Sequence, residues 1–221
     1  MASPTPARGV LWDLDGTLID SGEQHYIAWR ETLAARGRTH SREEFARFFG
    51  RRNDVILGEM FGGALSAGEA EGIADEKEKR YRRLVRAEGL EPLPGVMDWL
   101  RRLKESGYRQ ALATRAPRAN VTVVVEVLGL GSLLDATAAA EDVERGKPDP
   151  GIFLEAARRI HVPPGLCVVV EDAPAGLEGA RRAGTRTVGV VSGHHPKLEA
   201  DVVVSSLADL PVDTFEELTG R

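Results

Sequence analysis

Two pairs of carboxylates in this sequence stand directly after apolar runs. Asp13 and Asp15 follow Val10-Leu11-Trp12, and the pair Glu171-Asp172 follows the run 167–170. Two like charges about 4 Å apart repel each other by roughly 4 kcal/mol at an effective dielectric constant near 20. A cluster of such groups therefore needs a cation, and an all-oxygen ligand set favours Mg²⁺.

A hydroxyl and an amine follow two further predicted strands. Thr114 follows the predicted strand 108–113, and Lys147 lies in AEDVERGKPDP after the predicted strand 136–139. Taken singly, Lys147 is more typical of an ordinary surface lysine, and Glu171-Asp172 of a turn or an N-cap pair. Because reactive groups in parallel sheets gather beyond the carboxyl ends of the strands, we expect the four segments to meet. A cation site, phosphate-binding groups and a carboxylate nucleophile together indicate phosphoryl transfer.

The elements that must position these residues follow a βα alternation. After residue 92 helical and strand patterns alternate, which predicts a parallel sheet with helices on both faces. Residues 20–91 contain only helical patterns, one of which begins at the capping box Ser66/Glu69. We therefore predict an α/β fold, a Rossmann-like parallel-sheet core domain (1–19 and 92–221) with an inserted α-helical cap domain (20–91).

Composition and charge exclude several classes of partner. The 221 residues carry a formal net charge of −5, so nothing indicates binding to nucleic acid or to an anionic membrane. No apolar run reaches the roughly 18 residues of a membrane span, and the N-terminal segment MASPTPARGV lacks the apolar stretch of a signal peptide. The single cysteine, Cys167, lies in an apolar run and fits a reducing compartment. We expect a cytoplasmic monomer.

Four segments, in matching order and spacing, resemble the four motifs of the haloacid dehalogenase superfamily. They are DLDGTLIDS at 13–21, Thr114, GKPDP at 146–150 and VVVEDAPAG at 168–176. The resemblance covers essentially the whole chain. A helical insertion after the first motif is similar to the branch that contains β-phosphoglucomutase and small sugar-phosphate phosphatases. The resemblance implies a Mg²⁺-dependent reaction on a small phosphorylated metabolite.

The resemblance also implies a role for each motif residue. Asp13 resembles the nucleophile that takes up the phosphoryl group, and Asp15 resembles the general acid for the leaving alcohol and then the base for water. Thr114 and Lys147 resemble the residues that bind the transferring oxygens. The implied Mg²⁺ ligands are Asp13, the backbone carbonyl of Asp15, and Asp172, with Glu171 close by. A dehalogenase of this superfamily would lack the second aspartate, so Asp15 favours phosphoryl transfer.

Three residues of the helical segment resemble substrate-binding positions of the same branch. His25 stands in the segment DSGEQHYIAW, Arg52 matches a loop arginine that grips a distal phosphate, and Lys77 falls where the branch carries a cap lysine. His25 also fits a plain packing or capping role in its helix. The two connections near 19–21 and 89–94 are predicted to act as hinges.

Phosphatase and mutase both fit these motifs, because both begin with the same aspartyl-phosphate. The mutases that this chain resembles carry Ser-Lys shortly after the second-motif residue, whereas this chain has Arg115-Ala116-Pro117 after Thr114. The missing lysine favours a phosphatase. Arg115 is a candidate substrate-binding residue, and a purely structural pairing with Asp142 or Glu144 is the alternative. A non-catalytic phospho-ligand-binding or regulatory module is the remaining alternative of another class.

Overall fold

One parallel sheet organises the larger part of the chain. The computed structural model describes residues 7–48, 53–191 and 197–220. The strands are β1 (Gly9–Trp12), β2 (Arg109–Ala113), β3 (Ala136–Ala138), β4 (Cys167–Glu171), β5 (Arg186–Val190) and β6 (Val202–Val204). Their spatial order is β3-β2-β1-β4-β5-β6, and each neighbouring pair is parallel. The winding direction reverses between β1 and β4, which is where such sheets form their binding crevice.

Helices cover both faces of this sheet. The α-helices within the described residues are α1 (Gly22–Ala34), α2 (Arg42–Phe48), α3 (Asn53–Met60), α4 (Ala67–Glu88), α5 (Val96–Glu105), α6 (Arg118–Val127), α7 (Gly151–Arg159), α8 (Pro174–Ala183) and α9 (Thr214–Thr219). Trp12 of β1 packs near Phe215 of α9, whose ring lies 5.1 Å from that of Trp99 in α5. The adjacent Leu11 belongs to a different cluster of buried side chains, which includes Phe153 of α7. Successive residues of β1 thus point to two helical layers, which confirms the predicted α/β fold class.

The chain divides into two compact units. One contains residues 1–20 and 91–221 and carries the sheet, and the other contains residues 21–90. Helices α1 to α4 form the second unit around the buried side chains Trp29, Leu33, Leu57 and Ile73. Helix α4 begins at the predicted capping box, in which Ser66 and Glu69 satisfy each other's backbone N–H groups. Among the described residues, no helix combines the length and the apolar character that crossing a membrane requires.

In the β-branched run 121–127, tertiary packing overrides a low intrinsic helix propensity. Five of its seven residues are valine and one is threonine, which are weak helix formers, yet it is helical within α6. Val121, Val123 and Val124 are buried, so tertiary contacts supply the free energy that intrinsic propensity lacks.

Candidate active site

Three buried carboxylates meet where β1 and β4 end. Trp12 pairs with Val170, and the Asp13 N–H donates to the Val170 carbonyl at 3.0 Å, which carries the ladder one residue beyond β1. The side chains of Asp13, Glu171 and Asp172 each offer an oxygen within 4.8 Å of the others. These residues are 8%, 1% and 7% exposed. Their proximity follows from the register of two adjacent parallel strands.

Lys147 lies inside this cluster and bridges two of its members. Its ammonium donates to Asp13 Oδ1 and, at 2.6 Å, to Glu171 Oε1. The second oxygen of Glu171 accepts the Ala173 N–H at 2.8 Å. The Lys147 side chain is only 3% exposed, so the ion pairs are shielded from water. Glu171 thereby fixes the position of Lys147 beside Asp13.

The cluster retains an excess of negative charge. Burial raises the pKa of Asp13 to about 8, with Glu171 and Asp172 acting in the same direction and Lys147 opposing them. Burial lowers the pKa of Lys147, but the charges of Asp13 and Glu171 outweigh it and the net pKa is raised. One ammonium therefore stands against three buried carboxyl groups. An all-oxygen, anionic and buried donor set fits a hard divalent cation.

Two glycines leave the space that the carboxylates occupy. A Cβ at Gly16 would overlap the Asp172 carboxylate, and φ at Gly16 is +87°. A Cβ at Gly176, in the first turns of α8, would overlap the Glu171 carboxylate. The sequence motifs contain both glycines, but only the structure shows which side chains they accommodate.

Thr114 and Arg115 follow β2 at the same edge of the sheet. The Thr114 N–H donates to the Ala138 carbonyl at 3.1 Å, and its hydroxyl accepts the Ala116 N–H at 3.1 Å. Thr114 is 2% exposed, whereas Arg115 is exposed. The Arg115 Cδ lies 3.5 Å from the point that a Cβ at Gly146 would occupy. Arg115 is therefore beside the residue that precedes Lys147.

Asp15 lies in the turn after β1 and is half-buried. The following residue closes this turn, because the Gly16 N–H donates to the Ile19 carbonyl at 2.8 Å. Asp15 is not one of the three clustered carboxylates. The assignment of its backbone carbonyl to the metal stays a prediction from the resemblance.

His25 and Lys77 belong to one buried cluster in the helical unit. They are two of the three substrate-binding residues predicted for this unit. The Lys77 ammonium lies 2.8 Å from His25 Nδ1 and 2.8 Å from Glu78 Oε1. The same glutamate oxygen accepts a hydrogen bond of 2.8 Å from the Asn53 side chain. The imidazole of His25 stacks on Tyr81 with a centroid distance of 4.0 Å. The third predicted residue, Arg52, lies outside the described residues.

The charges of this cluster are fixed by their contacts. Burial, together with the Lys77 charge, lowers the pKa of His25 to about 3, so the imidazole is neutral near pH 7. Because a lysine ammonium only donates, we assign the imidazole proton to Nε2. Burial opposes ionisation of Glu78, but Lys77 and His25 outweigh it and lower its pKa to about 2. The cluster is therefore a buried Lys⁺–Glu⁻ pair with a neutral histidine.

Comparison with known proteins decides the family. A model of the haloacid dehalogenase-like hydrolase family matches residues 7–184. The chain belongs to this family. The match confirms the family recognised from the motifs, and with it the prediction that the chain is an enzyme of the phosphomonoester hydrolase type.

Relatives of this haloacid dehalogenase-like hydrolase match over nearly its full length. It is 31% identical over 216 residues to the β-phosphoglucomutase of Bacillus subtilis (strain 168), covering 95% of this chain and 94% of that protein. It is 32% identical over 207 residues to hexitol phosphatase A of Escherichia coli (strain K12), covering 93% and 94%. The crystal structure of CbbY from Rhodobacter sphaeroides in complex with xylulose-(1,5)bisphosphate superposes with a TM-score of 0.84 at 28% identity, covering 92% and 96%.

Sequence reasoning missed Glu78 and Asn53 in the helical unit of this hydrolase. Ile73, Lys77 and Tyr81 recur every fourth residue and are buried along one face of α4. That spacing could have shown that Lys77 lies on an apolar helix face. Glu78 gave no comparable signal, because it stands in the charge-rich run 75–83 and Asn53 is distant in sequence.

Replacing Gly176 by alanine tests whether this hydrolase needs the space beside Glu171. We expect the added methyl group to displace the Glu171 carboxylate, lower kcat/KM by about 10²-fold and cost about 1–3 kcal/mol of unfolding free energy. Gly72→Ala in α4 is the matched control, because nothing lies within 4 Å of its added Cβ. The control should keep its activity and gain up to about 1 kcal/mol. Equal kinetics in both variants would contradict the steric argument.

The Lys77–Glu78 pair predicts a pH-dependent stability. A pKa of Glu78 lowered from 4.5 to about 2 contributes stability above pH 4.5 that is lost as the pH falls toward 2. We expect Glu78→Gln to lose about 3 kcal/mol of unfolding free energy at pH 7, and this loss to shrink below about pH 4.5. Urea unfolding at a series of pH values measures it. Glu76→Gln, which removes a more exposed partner of Arg36 and Arg80, should change stability by at most about 1 kcal/mol. A pH-independent difference for Glu78→Gln would contradict the assignment.

Proposed function

We propose that this protein is a Mg²⁺-dependent phosphatase that hydrolyses small sugar or polyol phosphates through an aspartyl-phosphate on Asp13. The observation that carries the proposal is the position of Lys147, held by Glu171 against Asp13 in a buried group of three carboxylates. Such a site places a nucleophile, a fixed positive charge and oxygen ligands within one small volume. Relatives named as a hexitol phosphatase and a phosphoglucomutase support the substrate class.

The proposed metal ligands are oxygens of the carboxyl edge. Asp13, Asp172 and the backbone carbonyl of Asp15 would hold Mg²⁺, with Glu171 close by. When bound, the ion would offset the excess negative charge of the cluster and the charge of the phosphoryl oxygens. The raised pKa of Asp13 supports this proposal, because the ionised nucleophile needs a further positive charge beside Lys147.

In the first half of the proposed reaction, a carboxylate oxygen of Asp13 attacks phosphorus. The bond between phosphorus and the alcohol oxygen breaks, and Asp15 gives its proton to that oxygen, so the alcohol leaves neutral. Lys147 and the Thr114 hydroxyl bind the transferring oxygens. Asp13 then carries the phosphoryl group and Asp15 is a carboxylate.

In the second half, water attacks the phosphorus of the aspartyl-phosphate. Asp15 takes the proton of the attacking water, and the bond between phosphorus and the Asp13 oxygen breaks to release inorganic phosphate. Both aspartates return to their starting states, so protons balance over the cycle. Most of the rate enhancement must come from positioning and charge neutralisation, since Asp13 alone forms a covalent bond.

We propose that the helical unit is a cap domain that supplies substrate recognition. His25, Arg52 and Lys77 would contact the part of the substrate that is not transferred, and Arg115 would contribute from the core. A neutral His25 with its proton on Nε2 suits a sugar hydroxyl rather than an anionic group. We further propose that the protein is a monomer and that it acts in the cytoplasm. The buried Cys167 fits the reducing conditions of that compartment.

A phosphomutase is the second candidate, and the identity to β-phosphoglucomutase favours keeping it. Mutases of this branch carry a lysine where this chain has Pro117. The next residue, Arg118, is already engaged, because its guanidinium donates to Asp142 Oδ1 at 2.5 Å. The second-motif loop therefore lacks the lysine that the mutases use at position 117, which favours water as the final acceptor, although Arg115 still supplies a cation in the same loop.

A substrate panel tests the proposal. Purified protein with Mg²⁺ would be assayed on sugar and polyol monophosphates, with β-glucose 1-phosphate included and both inorganic phosphate and glucose 6-phosphate measured. Phosphate release that EDTA abolishes is the expected result. Glucose 6-phosphate formed without free phosphate, in the presence of a bisphosphate primer, would establish the mutase instead. No product in either channel would contradict both and favour a binding module.

A further inference from the structure

The two loops that carry Thr114 and Lys147 are joined to each other at the carboxyl edge of the sheet. The Thr114 N–H donates to the Ala138 carbonyl, and the Ala140 N–H donates to the Ala116 carbonyl, each at 3.1 Å. These backbone bonds continue the β2–β3 ladder into the loops. The position of one phosphate-binding loop therefore depends on the other.

Asp142 is the side chain that ties these loops together most extensively among the described residues. Its Oδ1 accepts from Arg118 at 2.5 Å and from Arg159 at 2.7 Å, and its Oδ2 accepts the Ala139 N–H at 2.8 Å. The Asp142 side chain is 12% exposed. The neighbouring Glu141 accepts the Arg118 N–H at the start of α6. Both ends of Arg118, backbone and guanidinium, are thus bound to the loop that leads to Lys147.

Arg159 anchors this arrangement to the body of the domain. It lies at the end of α7 and contacts the Thr137 carbonyl in β3 as well as Asp142. Its Nε donates to Glu155 at 2.7 Å, which orients the guanidinium. Asp142 is therefore bound by Arg159 at the end of α7, by Arg118 at the start of α6 and by the Ala139 N–H directly after β3.

The opposite edge of the same two strands carries an equivalent arrangement without any motif residue. Asp135 precedes β3, and its Oδ1 accepts from Lys104 at 2.9 Å and from Arg109 at 3.2 Å. Its Oδ2 accepts the Gln110 N–H at 2.8 Å, and its side chain is 14% exposed. Asp135 and Asp142 thus each bind two cations and one backbone amide. They differ in which edge of the sheet they hold.

We propose that Asp142, with Arg118 and Arg159, is a positioning residue that holds the Thr114 and Lys147 loops in the register needed to bind a phosphoryl group. The inference rests on the proposed function for the ligand of these loops. It adds that the geometry of the phosphate site is set from outside the four motifs. The carboxylate of Asp142 also keeps Arg118 bound to the loop and away from substrate.

The test compares Asp142→Asn with Asp135→Asn, using an aryl phosphate as substrate and orthovanadate as the phosphate-like inhibitor. For Asp142→Asn we expect KM and the inhibition constant of orthovanadate to rise roughly tenfold, the size typical of losing hydrogen bonds to charged groups. Asp135→Asn should lower the melting temperature about as much as Asp142→Asn does, but leave KM and the inhibition constant within about twofold of the wild-type values. Arg118→Met, whose side chain is 45% exposed, should reproduce the effect on a smaller scale. Asp142→Glu should restore a substantial part of the vanadate affinity.

Each result decides the proposal. Equal loss of stability in the two asparagine variants with unchanged kinetic and inhibition constants would make Asp142 merely structural and overturn it. If Asp142→Asn does not fold, an unchanged KM and an unchanged inhibition constant of orthovanadate in Arg118→Met would likewise overturn the proposal. An improved affinity in Asp142→Asn would show that a released Arg118 binds the ligand, and would also overturn the proposal. An inactive wild type that does not bind orthovanadate would instead overturn the proposed function and this inference with it.

Discussion

Asp13→Asn is expected to lose at least roughly 10⁴-fold of the phosphatase activity, because an amide oxygen does not form the aspartyl-phosphate. The substitution keeps the size of the side chain and one acceptor oxygen for Lys147. It also removes a charge whose burial is unfavourable, as the pKa of Asp13 near 8 indicates. The folded state should therefore survive the change, which circular dichroism and thermal unfolding would check.

Asp13→Glu separates the nucleophile from a charge effect. Glutamate retains the negative charge beside Lys147 but moves the attacking oxygen by one methylene group. We expect it to be nearly as inactive as Asp13→Asn, because misplacing a reacting atom by about 1 Å costs on the order of 10²-fold and a full methylene more. Substantial activity in Asp13→Glu would show that Asp13 acts as a charge and not as the attacking group.

Asp15→Asn is expected to discriminate between substrates by their leaving groups. A sugar alcohol is a poor leaving group and needs a proton, so its turnover should fall by about 10²- to 10⁴-fold. A nitrophenolate leaves without protonation, so its release in the first turnover should change by less than about tenfold. Steady-state turnover of the aryl phosphate should still be slow, because water attack on the aspartyl-phosphate needs Asp15 as base.

Stopped-flow measurement of nitrophenol release would resolve these two steps. The expected trace for Asp15→Asn is a rapid burst of about one equivalent per active site followed by a slow phase. Asp98→Asn is a suitable control, since Asp98 is an exposed aspartate of α5 that lies outside the four motifs. An equal loss of sugar-phosphate and first-turnover aryl-phosphate activity in Asp15→Asn would contradict the acid–base role.

The fold and the edge that carries the site could be predicted because they depend on local patterns. Buried parallel strands such as β4 are short apolar runs, and the chain must place their carboxyl ends together. Asp13, Lys147 and Asp172 could therefore be assigned to one edge before any coordinates were known. The motifs also placed Thr114 and the segment GKPDP at this edge, since each follows one of two consecutive predicted strands.

The parts that the sequence left open depend on tertiary contacts between distant residues. The pairing of Glu78 with Lys77 and Asn53 joins two helices, and each partner taken alone resembles a surface residue. Asp142 could be named as a possible arginine partner, but its partners among the described contacts are Arg118 and Arg159, which no periodicity relates to it. Such pairings depend on how the packed elements face each other, and that is set by the whole fold.

The most direct test of the account is to trap the phosphoryl group on the protein. The enzyme would be mixed with substrate and Mg²⁺, quenched in acid within the first turnover and treated with borohydride, which reduces an acyl phosphate to an alcohol. Mass spectrometry of the peptide that contains Asp13 and Asp15 should then show homoserine at position 13 only. Unmodified Asp13 in samples that have already released the alcohol would contradict the account, because it would mean that water attacks the substrate directly.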